Sequence, residues 1–235
     1  MSSEPLLRLD GVSKRFGGLT VLDRQSFSIS EGEILGLVGP NGSGKTTTIN
    51  VISGVHQADA GRILFEGREI QRLPLFRIAR LGINRSFQVP KCFRAMRVRE
   101  NIEVAATFAG RGAVDIDEIL AGIGLADHAD AIAGALTVNQ QKMLDLGRAL
   151  ATNPRLLLID EIGAGLNPAE LGGIAELLKS LAARGIALIV VEHLLDFLNR
   201  ITDRVIVLGA GRMLFEGSLK AASRDPDVVA AFIGG

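Results

Sequence analysis

The sequence predicts an α/β fold with a mainly parallel sheet covered on both faces. Three observations carry that expectation. After Leu136, short apolar runs alternate with stretches of helical spacing, the order that builds parallel sheets. Gly39 to Thr46, GPNGSGKT, fits the phosphate-binding loop pattern G-x-x-x-x-G-K-[ST], with an apolar run before it and a helix-like segment after it. The front third is strand-rich around one helix, and the middle reads as a helical insert.

Taken in order, Leu6 to Phe16 and Leu19 to Ile29 read as two strands, with Gly17-Gly18 as the hairpin signal. Glu33 to Val38 reads as a buried strand leading into the phosphate loop, and Thr46 to Ile52 as the helix leading out. Gly61 to Phe65 is a further strand ending at Glu66-Gly67, and Pro74 opens a short helix from its first turn. In INRSFQVPKCF, from Ile83 to Phe93, the strand is expected to stop near Pro90. Val98 to Phe108 and Asp115 to Gly124 are helical by spacing. Asn139 to Ala151 carries a helical apolar stripe through Met143, Leu144, Leu146, Leu150 and Ala151. An apolar run then ends at Asp160-Glu161. The helix Pro168 to Ala183, the strand Ile186 to Val191, a helix to Asn199, and strands Arg204 to Leu208 and Met213 to Phe215 follow. A small helical tail closes the chain.

Composition narrows the function classes. At 235 residues the chain can bury one large core, or one core with a small appended lobe. Its 47% hydrophobic content and mean hydropathy of +0.30 exclude disorder. Lys plus Arg and Asp plus Glu each number 26, so no basic excess points to nucleic acid. One cysteine, Cys92, rules out an internal disulfide and fits a reducing compartment. No apolar run approaches the roughly 20 residues of a membrane span. Met1-Ser2-Ser3-Glu4-Pro5 lacks the basic-then-apolar order of a signal peptide. The expectation is a soluble, intracellular chain, with docking on a membrane protein left open.

The loop chemistry explains its residue types. Gly39, Gly42 and Gly44 let the backbone of Gly39-Pro40-Asn41-Gly42-Ser43-Gly44 turn its N–H groups toward phosphate oxygens. The helix that follows directs its positive end at the same anion. Lys45 is expected to reach the β- and γ-phosphates, the Thr46 hydroxyl to ligate magnesium, and Thr47 to add a phosphate contact. Asp160, at the end of Leu156-Leu157-Leu158-Ile159, is placed to hold magnesium through water. Glu161 is placed to orient or polarise the attacking water. His193 ends the next strand, where its ring can bond a γ-phosphate. Gln88, at a strand end, suits contact with a metal-bound water or a phosphate. Phe16 is either a base-stacking ring or an edge aromatic. His56 and His128 lack such context and read as surface residues.

The order GPNGSGKT, Gln88, LTVNQQKMLDLGRAL, LLLIDE and His193 resembles the ATP-binding subunit of an ABC transporter. The likeness covers nearly the whole chain, and RSFQ, CF, VRENI and AGLNP look most like the branched-chain amino acid importer subfamily. It implies a P-loop NTPase core, an N-terminal antiparallel β lobe and a helical subdomain carrying the signature. In that frame residues 1–235 form a single domain, with 1–86 and 153–235 as catalytic core with β lobe and about 87–152 as helical subdomain. Phe16 matches the base-stacking aromatic, Gln88 the glutamine that senses magnesium and the transmembrane subunit, and Ala164 to Asn167 the loop that crosses a dimer.

The resemblance further implies ATP and Mg2+ as ligands and a head-to-tail dimer, homo- or heteromeric, docked on transmembrane permease subunits at the inner face of the cell membrane. Each ATP then lies between one subunit's phosphate loop and the other's signature, normally LSGGQ. Here Leu136-Thr137-Val138-Asn139-Gln140 keeps the hydroxyl and the glutamine but lacks both glycines. Val138 is a mild change. Asn139 is the sharper one, since its side chain occupies space where backbone approaches phosphate, although asparagine tolerates left-handed backbone. Self-pairing therefore implies slow turnover, and a partner with a standard signature implies that this chain's own site hydrolyses while the partner's is impaired. Ile162 and Leu194 also depart from the family's proline and aspartate. Phe87 to Phe93 is apolar enough either to dock a permease or to fill the lobe's core. The implied function is the ATP-hydrolysing, energy-coupling subunit of an importer, for branched-chain or other hydrophobic amino acids. The alternatives are a related exporter's ATPase and a weakly hydrolysing regulatory subunit.

Overall fold

Two sheets organise the chain. The computed structural model describes residues 4–87, 89–109 and 111–233. Strands β1 (Leu7–Phe16) and β2 (Leu19–Ile29) form a hairpin with Phe16 opposite Leu19. Strand β3 (Ile34–Val38) runs into the phosphate loop and helix α1 (Lys45–Ile52) leaves it. Strand β4 (Ala60–Phe65) returns beside β1, and a two-residue strand, β5 (Arg68–Glu69), folds back on it. Two residues carry no readable periodicity, so β5 was not expected.

Helix α2 (Leu75–Leu81) begins after Pro74, which is the extended N-cap residue rather than part of the first turn. Strand β6 (Ile83–Arg85) ends well short of Pro90. The Ser86 N–H still donates to Leu158 O at 3.0 Å, but the Phe87 N–H donates to the Asp145 carboxylate at 2.7 Å. A side chain takes the backbone out of the ladder before proline can. Gln88 lies outside the described residues.

Helices α3 (Val98–Ala109), α4 (Ile116–Gly122) and α5 (Val138–Ala151) form the insert. Strand β7 (Leu156–Asp160), helix α6 (Pro168–Ala183), strand β8 (Ala187–Val191), helix α7 (Leu195–Ile201) and strands β9 (Arg204–Gly209) and β10 (Arg212–Gly217) resume the alternation. Helices α8 (Leu219–Ala222) and α9 (Pro226–Ile233) follow.

The first sheet, ordered β2-β1-β4-β5, is antiparallel throughout. The second is ordered β10-β9-β3-β8-β7-β6 and is parallel apart from β10. Strands β3, β7 and β8 are buried along their whole length, as their unbroken apolar runs require. Their side chains feed two cores by alternation. Leu35, Leu37, Leu156, Leu158, Ile189 and Val191 pack with α1 and the antiparallel sheet. Ile34, Val38, Leu157, Ile159, Leu188 and Val190 pack with the insert and the later helices.

Candidate nucleotide site

Sheet register assembles the site. Leu37 of β3 pairs with Val191 of β8, which pairs with Asp160 of β7, so three parallel strands end on one rim. Gly39, Glu161 and His193 lie one or two residues beyond that row. A cleft of about 160 Å3 is lined by Val21, Asn41, Gly42, Ser43, Gly44, Lys45, Thr46, Thr47, Glu161 and His193. Ligands of open α/β sheets bind at such carboxyl ends, here where strands to the left and right of β3 diverge in sequence.

Two glycines make the loop possible. A Cβ on Gly39 would lie 2.3 Å from Leu208 O and 2.6 Å from Ser43 Oγ, so only hydrogen fits. Gly44 has φ +103 at the start of α1, and a Cβ there would meet Leu22 and the Val21 carbonyl within 3 Å. Lys45 is buried, and its Nζ donates to Gly39 O at 2.7 Å and to Pro40 O at 2.9 Å. The loop's own carbonyls thus hold the ammonium over the loop. Burial lowers the Lys45 pKa, opposed by the charges of Glu161 and Asp160. Thr46 is exposed and Thr47 half-buried. Behind them Thr48 donates to Gln25 Oε1 at 2.9 Å, which ties α1 to β2.

The carboxylates differ in environment. Asp160 is 3% exposed, and its pKa is raised by burial, against the pull of Arg85, whose guanidinium lies 3.7 Å away. Among the described residues its Oδ1 has no hydrogen-bond partner. That oxygen, with the exposed Thr46 hydroxyl, fits a hard cation that keeps several waters and takes phosphate oxygens as its remaining ligands. Glu161 leaves β7 with φ +52, a left-handed turn unusual for glutamate, while its N–H continues the ladder to Val191 O. His193 Nε2 lies 3.1 Å from Glu161 Oε1.

The other expected residues lie apart from that cleft. Phe16, at the end of β1, is 43% exposed; its ring meets His56 edge-on at 5.1 Å, with Lys14 Nζ 5.3 Å away. Thr137, Val138, Asn139 and Gln140 open α5, and none of the four lines the cleft. Thr137 Oγ1 accepts from the Gln140 N–H, and Gln140 Oε1 accepts from the Thr137 N–H, a capping box.

Several residues escaped the sequence reading. His128 is no bare surface residue, since its Nε2 lies 3.1 Å from Gln140 Nε2, and His56 edges Phe16. Asp145 is 4% exposed and accepts from the N–H groups of both Phe87 and Lys91. Burial raises its pKa, with those two bonds, Arg148 and Arg85 opposing. A charge inside the apolar stripe of α5 was the available signal. Glu192, 2% exposed, accepts from the Gly163 N–H at 2.6 Å.

Known proteins resemble this chain along nearly its whole length. Residues 22–164 match the protein family described as ABC transporter. The chain is 33% identical, over 252 aligned positions covering 99% of each protein, to the high-affinity branched-chain amino acid transport ATP-binding protein BraF of Pseudomonas aeruginosa. Its structure resembles that of a nucleotide-free ATP-binding cassette from an ABC transporter, with TM-score 0.88 and 32% identity over 99% of this chain and 100% of the other. A dimeric cassette in a post-hydrolysis state, bound to ADP and Pi, matches with TM-score 0.82 and 27% identity over 91% of this chain and 98% of the other.

Proposed function

This chain belongs to the ABC transporter family, and from that premise we propose that it is the ATP-hydrolysing, energy-coupling subunit of an importer. The convergence of the phosphate loop, Glu161 and His193 on one cleft, beside a buried Asp160, carries the reading. Backbone N–H groups of Gly39 to Thr46 and the Lys45 ammonium bind the phosphates. Asp160, the Thr46 hydroxyl and Gln88 are the residues that would hold Mg2+. When bound, the ion neutralises charge on the phosphate oxygens. Glu161 orients the attacking water, and His193, at hydrogen-bond distance from Glu161, steadies that carboxylate and the γ-phosphate. Phe16, exposed at a strand end, offers a ring face to the base.

Residues 1–86 and 153–235 act as the catalytic core with its β lobe, and about 87–152 as the helical subdomain. Two cassettes, alike or different, pair head to tail, so Thr137 to Gln140 serve the partner's nucleotide; that a similar cassette is dimeric supports the pairing. No helix among the described residues is long and apolar enough to cross a membrane. As in the family, transmembrane permease subunits supply the pathway, and the cassette docks on them from the cytoplasm. The names of the similar proteins favour branched-chain amino acids as cargo.

The test is steady-state ATPase with Mg2+ on the purified chain, alone and with its co-purified permease. Glu161→Gln should lower kcat about 100-fold or more while nucleotide still binds. Full turnover in that variant would remove Glu161 from the chemistry.

A further inference from the structure

The loop between Glu161 and α6 is held at three consecutive residues, from two sides. On the core side, Ile162 is 3% exposed and the Gly163 N–H donates to Glu192 Oε1 at 2.6 Å. On the other side, Lys142 Nζ donates to Ala164 O at 2.6 Å and Asn139 Nδ2 donates to Gly165 O at 3.1 Å. Asn139 and Lys142 stand three residues apart, so one face of α5 presents both donors. The loop closes on itself between these anchors, the Leu166 N–H donating to Gly163 O at 3.2 Å, and Gly165 takes φ +84. The asparagine that replaces a signature glycine therefore spends its amide on this chain's own backbone.

We propose that Asn139 and Lys142 are positioning residues for this chain's own Glu161. They fasten the rear of the loop to α5 while Glu192 fastens its front to the sheet, so the orientation of the helical insert is transmitted to the residue three or four positions upstream. The proposal rests on the ATPase reading. It differs from a signature that acts only across a dimer, because the effect of these two side chains is felt in cis. A glycine at position 139 has no side chain to make this bond, so the clasp is a property of this sequence.

Hydrogen exchange on the full chain tests the clasp without requiring hydrolysis. Asn139→Asp removes the donor and keeps the shape; Lys142→Met removes the charge and keeps the length. Each should speed exchange across residues 163–166 about fivefold while the core strands stay protected. Unchanged exchange in both variants would overturn the proposal. ATPase of the unmodified chain tests the functional reading separately. The cis effect is then read in mixed pairs in which one copy carries Glu161→Gln. Lys142→Met should lower kcat about fivefold, with KM little changed, and the loss should be larger when it sits on the copy retaining Glu161. Equal losses, or a larger loss from the other copy, would sink it.

Discussion

The rim of the parallel sheet and the start of α5 are built by opposite means. The rim gathers strand ends from three parts of the chain, and its geometry is set by sheet register and by backbone with no room for a Cβ at Gly39. The start of α5 is held by side-chain bonds: a capping box, two bonds to the 164–165 carbonyls, and a glutamine beside the His128 ring. Val138 there is 66% exposed. Bonds of the second kind contribute about 1 kcal/mol each, so that region tolerates change and the rim does not. Of the departures from the family pattern, Val138 and Asn139 fall in the tolerant region, while Ile162 and Leu194 adjoin the rim residues Glu161 and His193.

Substitutions graded by free energy sharpen that contrast. Gly39→Ala places a methyl against the Leu208 carbonyl and should destabilise the fold by about 3 kcal/mol or more and abolish nucleotide binding. Urea unfolding with a fluorescent nucleotide titration checks both; a stable, binding-competent variant would mean that the loop is less constrained than its geometry indicates. Asp145→Ala leaves the Phe87 and Lys91 N–H groups without their acceptor, an expected loss of about 2–4 kcal/mol. Asp145→Asn retains one acceptor oxygen and should lose less. Thr137→Ala breaks the capping box for about 1 kcal/mol, readable as a small shift in the urea midpoint with Lys45-dependent nucleotide binding preserved.

The smallest effect is a slope. Burial holds the Glu192 carboxyl above the usual carboxylate range, against the N–H groups of Gly163 and His193. A carboxyl whose pKa is raised by folding binds its proton more tightly in the folded chain. Its contribution is therefore fullest in acid and is lost as pH rises from the unfolded value through the folded one. Glu192→Gln should flatten the fall in stability as pH rises above the usual carboxylate range, by less than about 1 kcal/mol. Unfolding curves at several pH values check it; an unaltered slope would show that Glu192 titrates like an exposed carboxylate.

Local pattern determined much of this protein. The phosphate loop is legible because glycine, lysine and threonine at fixed spacing meet the demands of a phosphate, and the buried strands because parallel sheets covered on both faces need unbroken apolar runs. Asp160, Glu161 and His193 followed, since strand ends on one rim must lie near that loop. Tertiary structure alone decided which side chains hold which backbone. Asp145 reaches Phe87 across 58 residues, Glu192 reaches Gly163 across 29, and Asn139 reaches Gly165 across 26. It also ended β6 at Arg85 and turned His128 toward Gln140. A bond from a polar side chain to a distant N–H or carbonyl leaves no periodicity and prefers no particular spacing. It exists only once the strands and helices have set both ends within about 3 Å of each other.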